Sequence, residues 1–596
     1  MRSGCPALVL AIASLLHTTS LAGATLDTGI PDIAGIAAGE SWPKALPAAA
    51  PGSSSPWSLQ PPGGALADGS QPIVVRMKDV PTGDPRAMPG VLRGHEQGRA
   101  AGAVPPDFVL GDPSDDAGAS FGPAPAAAAA GLTPEAPDAP GDLRRNFAAQ
   151  GASGWIPPDP VLAVGPKYIL EVLNSGFTVF SKDGGLDRSY TDLQTFFDPI
   201  LDAIPCAFAD CFVFDPRAIY SQFFNKFVLA ALVRDDTHNR SYIVFAISQT
   251  SNPLGEWWQY FTYDVSSTAD AWTDYSGMSA DPWGLYFTGN NWFYTGGFKY
   301  AIAISIRPDV FFGSWNGGWD FWDLRWAEPG NPQAFDLQPA VPTHGSPGDA
   351  ATFFVNTFNS SGSKASIWKL TGDRGSSPTL VTGSANVSPY ADPGLARQPA
   401  PGADDIEMFY AGSQNVAYSQ RHVYLALNDA GSGQSGFYVS KINVDSFSEA
   451  RNITYYTGDT YYCYPNVVLF GSDSEDPLVA VALSWSSDSV FPSGALKLFQ
   501  NFTVDNTGAF WDVASGSATY NVYFNGRNRW GDYLGIARDH SCDTAWSVTE
   551  YAPATGVWRT RISEILGDRP QTGLCNLIFD DGFERSSSAN WSAAVP

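Results

Sequence analysis

The strongest constraint on how this chain folds is a pattern that it uses twice. Trp272-Thr-Asp274-Tyr275-Ser-Gly277-Met-Ser-Ala-Asp281 returns as Trp530-Gly-Asp532-Tyr533-Leu-Gly535-Ile-Ala-Arg-Asp539, with Trp, Asp, Tyr, Gly and Asp at the same five offsets. Trp and Tyr are uncommon residues, so an internal structural repeat explains the match better than chance does. Each copy leads into an apolar run, Leu285–Thr288 in one and Ala545–Thr549 in the other. Weaker relatives begin at Asp159 (DPVLAVG), Asp215 (DPRAIYSQ), Asp336 (FDLQPA), Asp405 (DDIEMFYA) and Tyr464 (YPNVVLF).

These starts lie roughly 55–70 residues apart, a length that holds four strands and their loops. Between them the chain is built of short β-rich runs separated by Gly, Asn, Asp and Pro. Phe227–Val233, Tyr242–Ser248, Tyr300–Ile306, His422–Leu427 and Leu478–Leu483 are examples. With no helical periodicity between the runs, the fold class is all-β, and the repeat selects a β-propeller over a sandwich or a barrel. Seven starts predict seven blades, with six or eight left open. The segment Ala246–Trp257 (AISQTSNPLGEW) reads as a strand that ends in a Pro/Gly turn capped by Trp. It loosely matches the Asp box of sialidases, but Pro253 stands at the acidic position.

Several of these runs together resemble a family of exported bacterial propeller-like proteins of mostly unassigned function. The matching pieces are PPDPVLAVGPKYILEVLNSGFTVFSKDGG, DPRAIYSQFFNKFVLAAL, SQTSNPLGEWWQY, and RWGDYLGIARDH followed by WSVTEY and WRTRI. The resemblance spans about Asn146 to Leu566 and implies a fold, with no catalytic residue to carry over. The end of the chain, Asp580-Asp581-Gly582-Phe583-Glu584 through Trp591, resembles a short terminal motif of exported gammaproteobacterial proteins.

The first residues predict export. Arg2, the apolar run Ala7–Leu16 and the small-residue exit Ala22-Gly23-Ala24 read as a signal peptide over 1–24. From Thr25 to about residue 145 the chain is rich in Ala, Pro, Gly and Asp. Such a stretch buries too little surface to offset its ordering entropy, so it reads as a disordered leader or propeptide. One short strand is expected within it, at Pro72–Met77. The propeller is then expected over 146–568 and a tail over 569–596. An oxidising compartment permits disulfides. Cys206 and Cys211 could close a small loop and Cys542 could pair with Cys575, leaving Cys463 over; pairing of Cys463 with either of the last two stays open.

Composition narrows the partners. With 60 acidic residues against 34 Lys+Arg, the net charge of −26 argues against nucleic acid or an anionic membrane surface. An extracellular glycan or protein, or a cation, remains compatible. No segment is long and apolar enough for a membrane-spanning helix, and the expected state is a monomer.

Chemistry in a propeller gathers where the innermost strands enter the central channel. If the repeat starts mark that entry, Asp159, Asp215, Asp274, Asp336 and Asp532 recur around one mouth. Three readings follow. Each aspartate caps its own turn; or the ring holds Ca²⁺ through hard oxygen ligands; or two carboxyls serve as acid and base of glycoside hydrolysis. Repetition favours the structural reading, because blades need sameness and catalysis needs asymmetry. The catalytic candidates are Asp274, Asp532 and Glu550, the last just after the run Trp546–Thr549. Arg217, Arg529 and Arg538 accompany repeat starts, and His344 and His540 lie in turns. No nucleophile elbow, zinc-protease helix or phosphate-cradling loop stands out. The leading functional class is therefore a binding or scaffolding module. A carbohydrate-active hydrolase or lyase and an adhesin-like structural part are the alternatives.

Overall fold

Alternating apolar residues on a strand point to opposite faces of its sheet, and here both faces are apolar. In the second strand of one blade, Val423, Leu425 and Leu427 face one neighbouring sheet while Tyr424 and Ala426 face the other. Such strands must be covered on both sides, and a ring of sheets stacked face to face does this without leaving an open end.

A computed structural model describes residues 72–83 and, with short breaks, 141–567. The innermost strands of the successive blades are Val161–Val164, Cys211–Ser221, Ala271–Asp281, Gln338–Pro339, Ser413–Ser419, Thr460–Leu469 and Gly535–Asp539. Each packs against the innermost strand of the next blade, and the seventh packs against the first, so the ring closes at seven. Each blade is a four-stranded antiparallel meander. Blades 4 and 5 are additionally bridged once between their outer strands, at Asn386 and Ser448. The fourth strand of blade 7 is Leu143–Gly151, paired antiparallel with Val557–Leu566. The two ends of the propeller are thus joined in one sheet. Each of the seven interfaces between blades carries its own apolar layer.

The expected strand in the leader is present as Ile73–Arg76, a fifth strand on the outer edge of blade 2. The signal segment, most of the expected leader, the tail, His344, Cys206 and Cys575 lie outside the described residues. Cys211 and Cys542 are each disulfide-bonded, and Cys463 is a buried free thiol. No described helix is long and apolar enough to cross a membrane.

The twin pattern is a genuine equivalence. A Cβ on Gly277 would lie 2.5 Å from Thr288 Oγ1 in its own blade and 2.6 Å from Pro339 Cδ in the next. A Cβ on Gly535 would meet Val548 Cγ1 at 2.8 Å and the backbone of Val161 and Leu162 at 2.9 Å. Glycine lets neighbouring innermost strands approach at both places. The final aspartates, Asp281 and Asp539, cap the hairpin after the innermost strand by accepting from the backbone amides of Trp283 and Ser541. Each also reaches into the following blade, Asp281 to Thr352 and Asp539 to Lys182.

Candidate functional site

A left-handed residue recurs where the chain turns into the axis. Asp159, Asp215, Tyr275, Asp336 and Tyr464 all have φ between 46° and 55°. In blades 2, 3 and 6 this kink coincides with a bulge in the innermost strand, at Phe214/Arg217, Asp274/Gly277 and Cys463/Asn466. Bulges re-aim side chains, and those of blades 2 and 3 include Asp215 and Asp274. Side chains from the preceding blade hold three of the kinks. Asn174 accepts from the Asp215 amide (2.8 Å), Asn290 from that of Asp336 (3.1 Å) and Asn428 from that of Tyr464 (2.8 Å).

The five sequence-predicted aspartates lie near one another, and all are buried. Asp159 accepts from the Asp532 amide at 2.7 Å and from Asn174 Nδ2 at 3.2 Å. The Tyr275 amide is shared between Asp274 (2.6 Å) and Asp215 (3.1 Å). Asp336 accepts from Asn290 Nδ2 at 2.6 Å. Arg529 donates to Asp532 at 2.6 Å. Between the two repeat tyrosines sits Arg217, 3.5 Å from the Tyr533 ring centre and 5.8 Å from that of Tyr275. The two rings meet edge to face at 5.9 Å.

Glu550 joins this group from the second strand of blade 7, Thr544–Ala554, which runs through it instead of ending before it. Its carboxyl is fully buried, and neither oxygen has a hydrogen-bond partner among the described residues. The space beside it is kept open by Gly531. A Cβ there would stand 2.9 Å from Glu550 Oε1 and 3.8 Å from Asp159 Oδ1.

Burial dominates the electrostatics. Loss of hydration, then the charges of Asp532 and Asp215, pushes Asp159 well above the usual carboxylate range. Burial alone is the leading cause for Asp274, raised to about 7, for Asp336, and for Glu550, which also faces Asp159 and Asp532. Burial so favours the proton-bearing form of these carboxyls. The cluster is asymmetric, with carboxyls of raised proton affinity on several sides and an Arg529–Asp532 ion pair on one.

Two long connections pack against the residues around this cluster, their apolar side chains sharing a layer with Tyr275, Trp530 and Tyr533. One joins blades 4 and 5 and carries the ribbon Leu395–Ala396/Ile406–Glu407. The other joins blades 6 and 7 and carries Tyr523–Phe524/Arg527–Asn528. Gln398 exchanges two hydrogen bonds of 2.8 Å with the Tyr520 backbone, and Glu407 faces both Arg527 and Arg529. Tyr520 packs edge to face on Trp530. Asp405 belongs to this cap. It is exposed and starts no innermost strand, so that assignment is corrected: blade 5 begins at Ser413. The misreading arose because the cap ribbon carries a short apolar run that looks like a strand entry.

Other candidates fall elsewhere. Arg538 pairs with Asp543 at 2.5 Å, near the far end of its innermost strand. Trp257, in the segment likened to an Asp box, is buried and donates to the Pro253 carbonyl at 2.9 Å, which makes that segment a blade turn. Among the described residues no group of three or more His, Cys, Asp or Glu is arranged to hold one metal ion. The five aspartates adjoin one another, and hydrogen bonds tie them to the backbone or side chains of their own or the adjacent blade. Sequence reasoning missed Gln398 and Tyr520, whose only signal was the length of the two connections, and read Glu407 as part of a strand entry.

No protein-family model matches this chain, and no curated protein does. Among solved structures it is similar to a phage phi92 endosialidase, with 8% identity, 62% of this chain and 69% of that one covered, and a TM-score of 0.31. It is likewise similar to a mutant Trypanosoma rangeli sialidase displaying trans-sialidase activity (10% identity, 66% and 57% covered, TM-score 0.31). A third similarity is to a GH43 endo-arabinanase from Bacillus licheniformis (10% identity, 60% and 97% covered, TM-score 0.27).

Proposed function

We propose that this chain is a secreted β-propeller that binds or scaffolds an extracellular glycan or protein through its outer faces. In this reading the axial carboxylates join blades together. The supporting observation is their enclosure: Asp159, Asp215, Asp274, Asp336, Asp532 and Glu550 are all buried beneath a cap whose two halves are hydrogen-bonded to each other. A substrate cannot reach an acid and a base that solvent does not reach. The test is a glycan array, with purified extracellular polysaccharides alongside, using the wild type and Asp274→Asn. Binding that survives this substitution supports the reading; a binding loss with the fold intact overturns it. Export is tested by N-terminal sequencing of the mature protein, expected to start at Thr25.

A second reading, a carbohydrate-active hydrolase or lyase, is favoured by Glu550 alone. A buried carboxyl of raised proton affinity, with no hydrogen-bond partner among the described residues, near a second carboxyl held in an ion pair is the split environment that acid–base catalysis uses. It requires the cap to open. Hydrolysis of a glycoside panel that Glu550→Gln and Asp532→Asn both abolish would replace the first reading with this one.

A further inference from the structure

The outer edge of blade 2 is occupied by a strand from far upstream in the chain. Ile73–Arg76 pairs antiparallel with Glu256–Phe261, in the register Ile73 with Gln259 and Arg76 with Glu256. The alternation is well matched to the site. Val75 and Met77 point inward and are buried in the same apolar layer as Phe196, Phe197 and Ile200 of the helix Leu193–Leu201. Val74 and Arg76 point outward, and Arg76 Nε lies 2.8 Å from Glu256. The contact continues past the strand. The Met77 amide donates to the Gly255 carbonyl at 3.1 Å. Arg188 Nη2 donates to the Val80 carbonyl at 2.6 Å, and the Gly83 amide to the Tyr190 carbonyl at 2.9 Å. Residues 72–83 therefore strap the outer edge of blade 2 to the outer strand of blade 1, Leu186–Asp192.

An exposed sheet edge templates pairing with any extended chain, and strand addition of this kind is a recognised mode of peptide binding. We infer that the outer edge of blade 2, with the helix Leu193–Leu201, is a strand-acceptor site. Its ligand is an extended segment with apolar side chains two residues apart and a cation between them, and its occupant is residues 72–83 of the same copy. The leader accordingly stays bound as a separate piece when the chain is cut between residue 83 and the blade-7 strand that begins at Leu143. This inference does not rest on the reading of the axial cluster.

The test cuts the full chain at a site-specific protease sequence inserted between Ala117 and Gly118, then applies native gel filtration. The expected result is co-elution of the N-terminal fragment with the propeller, at the mass of one copy of each. Separate elution overturns the inference. Elution as a complex of two copies of each overturns the same-copy assignment. A synthetic peptide of residues 70–84 should displace a dye-labelled fragment from the cut protein. The same peptide with Met77→Asp should compete at least about tenfold more weakly, because it puts an unpaired carboxylate where a methionine is buried. Equal competition by both peptides would also overturn the inference. No variant has to fold for this arm, since the propeller is unchanged.

Discussion

The two copies of the repeat, in blades 3 and 7, carry the same five residues and use some of them alike and others differently. Gly277 and Gly535 do one job, the close approach of neighbouring innermost strands, and Asp281 and Asp539 do another, the hairpin cap. The aspartates between them part company. Asp274 bonds the amide of its own neighbour, Tyr275, alongside Asp215, whereas Asp532 takes an ion pair from Arg529 and offers its amide to Asp159. The tryptophans differ as well. Trp272 packs on Phe214 with the Arg234 guanidinium 4.4 Å from its ring centre, while Trp530 donates to Ser484 Oγ at 3.0 Å. Repetition marks architecture, and the departures from it mark the place where a singular site can exist.

The largest effect expected from this comparison is at the tryptophans. Trp530→Ala and Trp272→Ala should each destabilise by about 3–5 kcal/mol in denaturant titrations. Trp530 should lie at the upper end, because its loss also strips a buried hydroxyl of its partner. Wild-type midpoints in both variants would mean that the repeat is not a packing unit.

Next come the aspartates. Asp532→Ala removes the closer of the two carboxylates paired with the buried Arg529 among the described residues and leaves Glu407 at 3.5 Å, and breaking a buried pair from one side costs about 3–5 kcal/mol. Asp274→Asn should cost less, since the amide keeps the side chain's shape and replaces a carboxyl that burial already makes reluctant to ionise. Equal losses in thermal melts would erase the distinction between the two copies.

The pH dependence sharpens it further. Asp274 and Glu171 are raised by burial to about 7. Their folded forms hold protons that the unfolded chain releases at its ordinary, lower carboxyl pKa. The stability they contribute is fully present below about pH 4 and falls as pH rises toward 7. Melting temperature should therefore decline over that window. Asp274→Asn should flatten the decline, measured as the difference in midpoint between pH 4 and pH 7.

The smallest effect concerns calcium. If the aspartates act only as turn caps, melting temperature should be the same in millimolar Ca²⁺ and in chelator. A rise in Ca²⁺ that Asp274→Asn or Asp532→Asn removes would restore the metal reading of the axis.

Much of this was legible because it is local. The short β runs, the turn residues and the five shared offsets depend on neighbours a few positions apart, and they were enough for an all-β propeller of seven blades. The strand at Ile73–Arg76 was readable for the same reason: Ile73, Val74 and Val75 form a short β-branched run. The cap was not legible, because its ribbons carry the same local signals as blade strands, and Asp405 was misplaced on that account.

What the sequence by itself determined is the repeating unit; what only the tertiary structure decided is which units meet. The Asp532 amide reaches Asp159 across a separation of 373 residues, and Gln150 bonds Thr560 across 410. Those meetings exist because seven blades return the chain to its beginning, and ring closure is a property of the summed rotation between sheets that no local run encodes. The same closure makes the carboxylates costly to ionise. Their raised proton affinity comes from the absence of water around them, which the order of residues along the chain does not record.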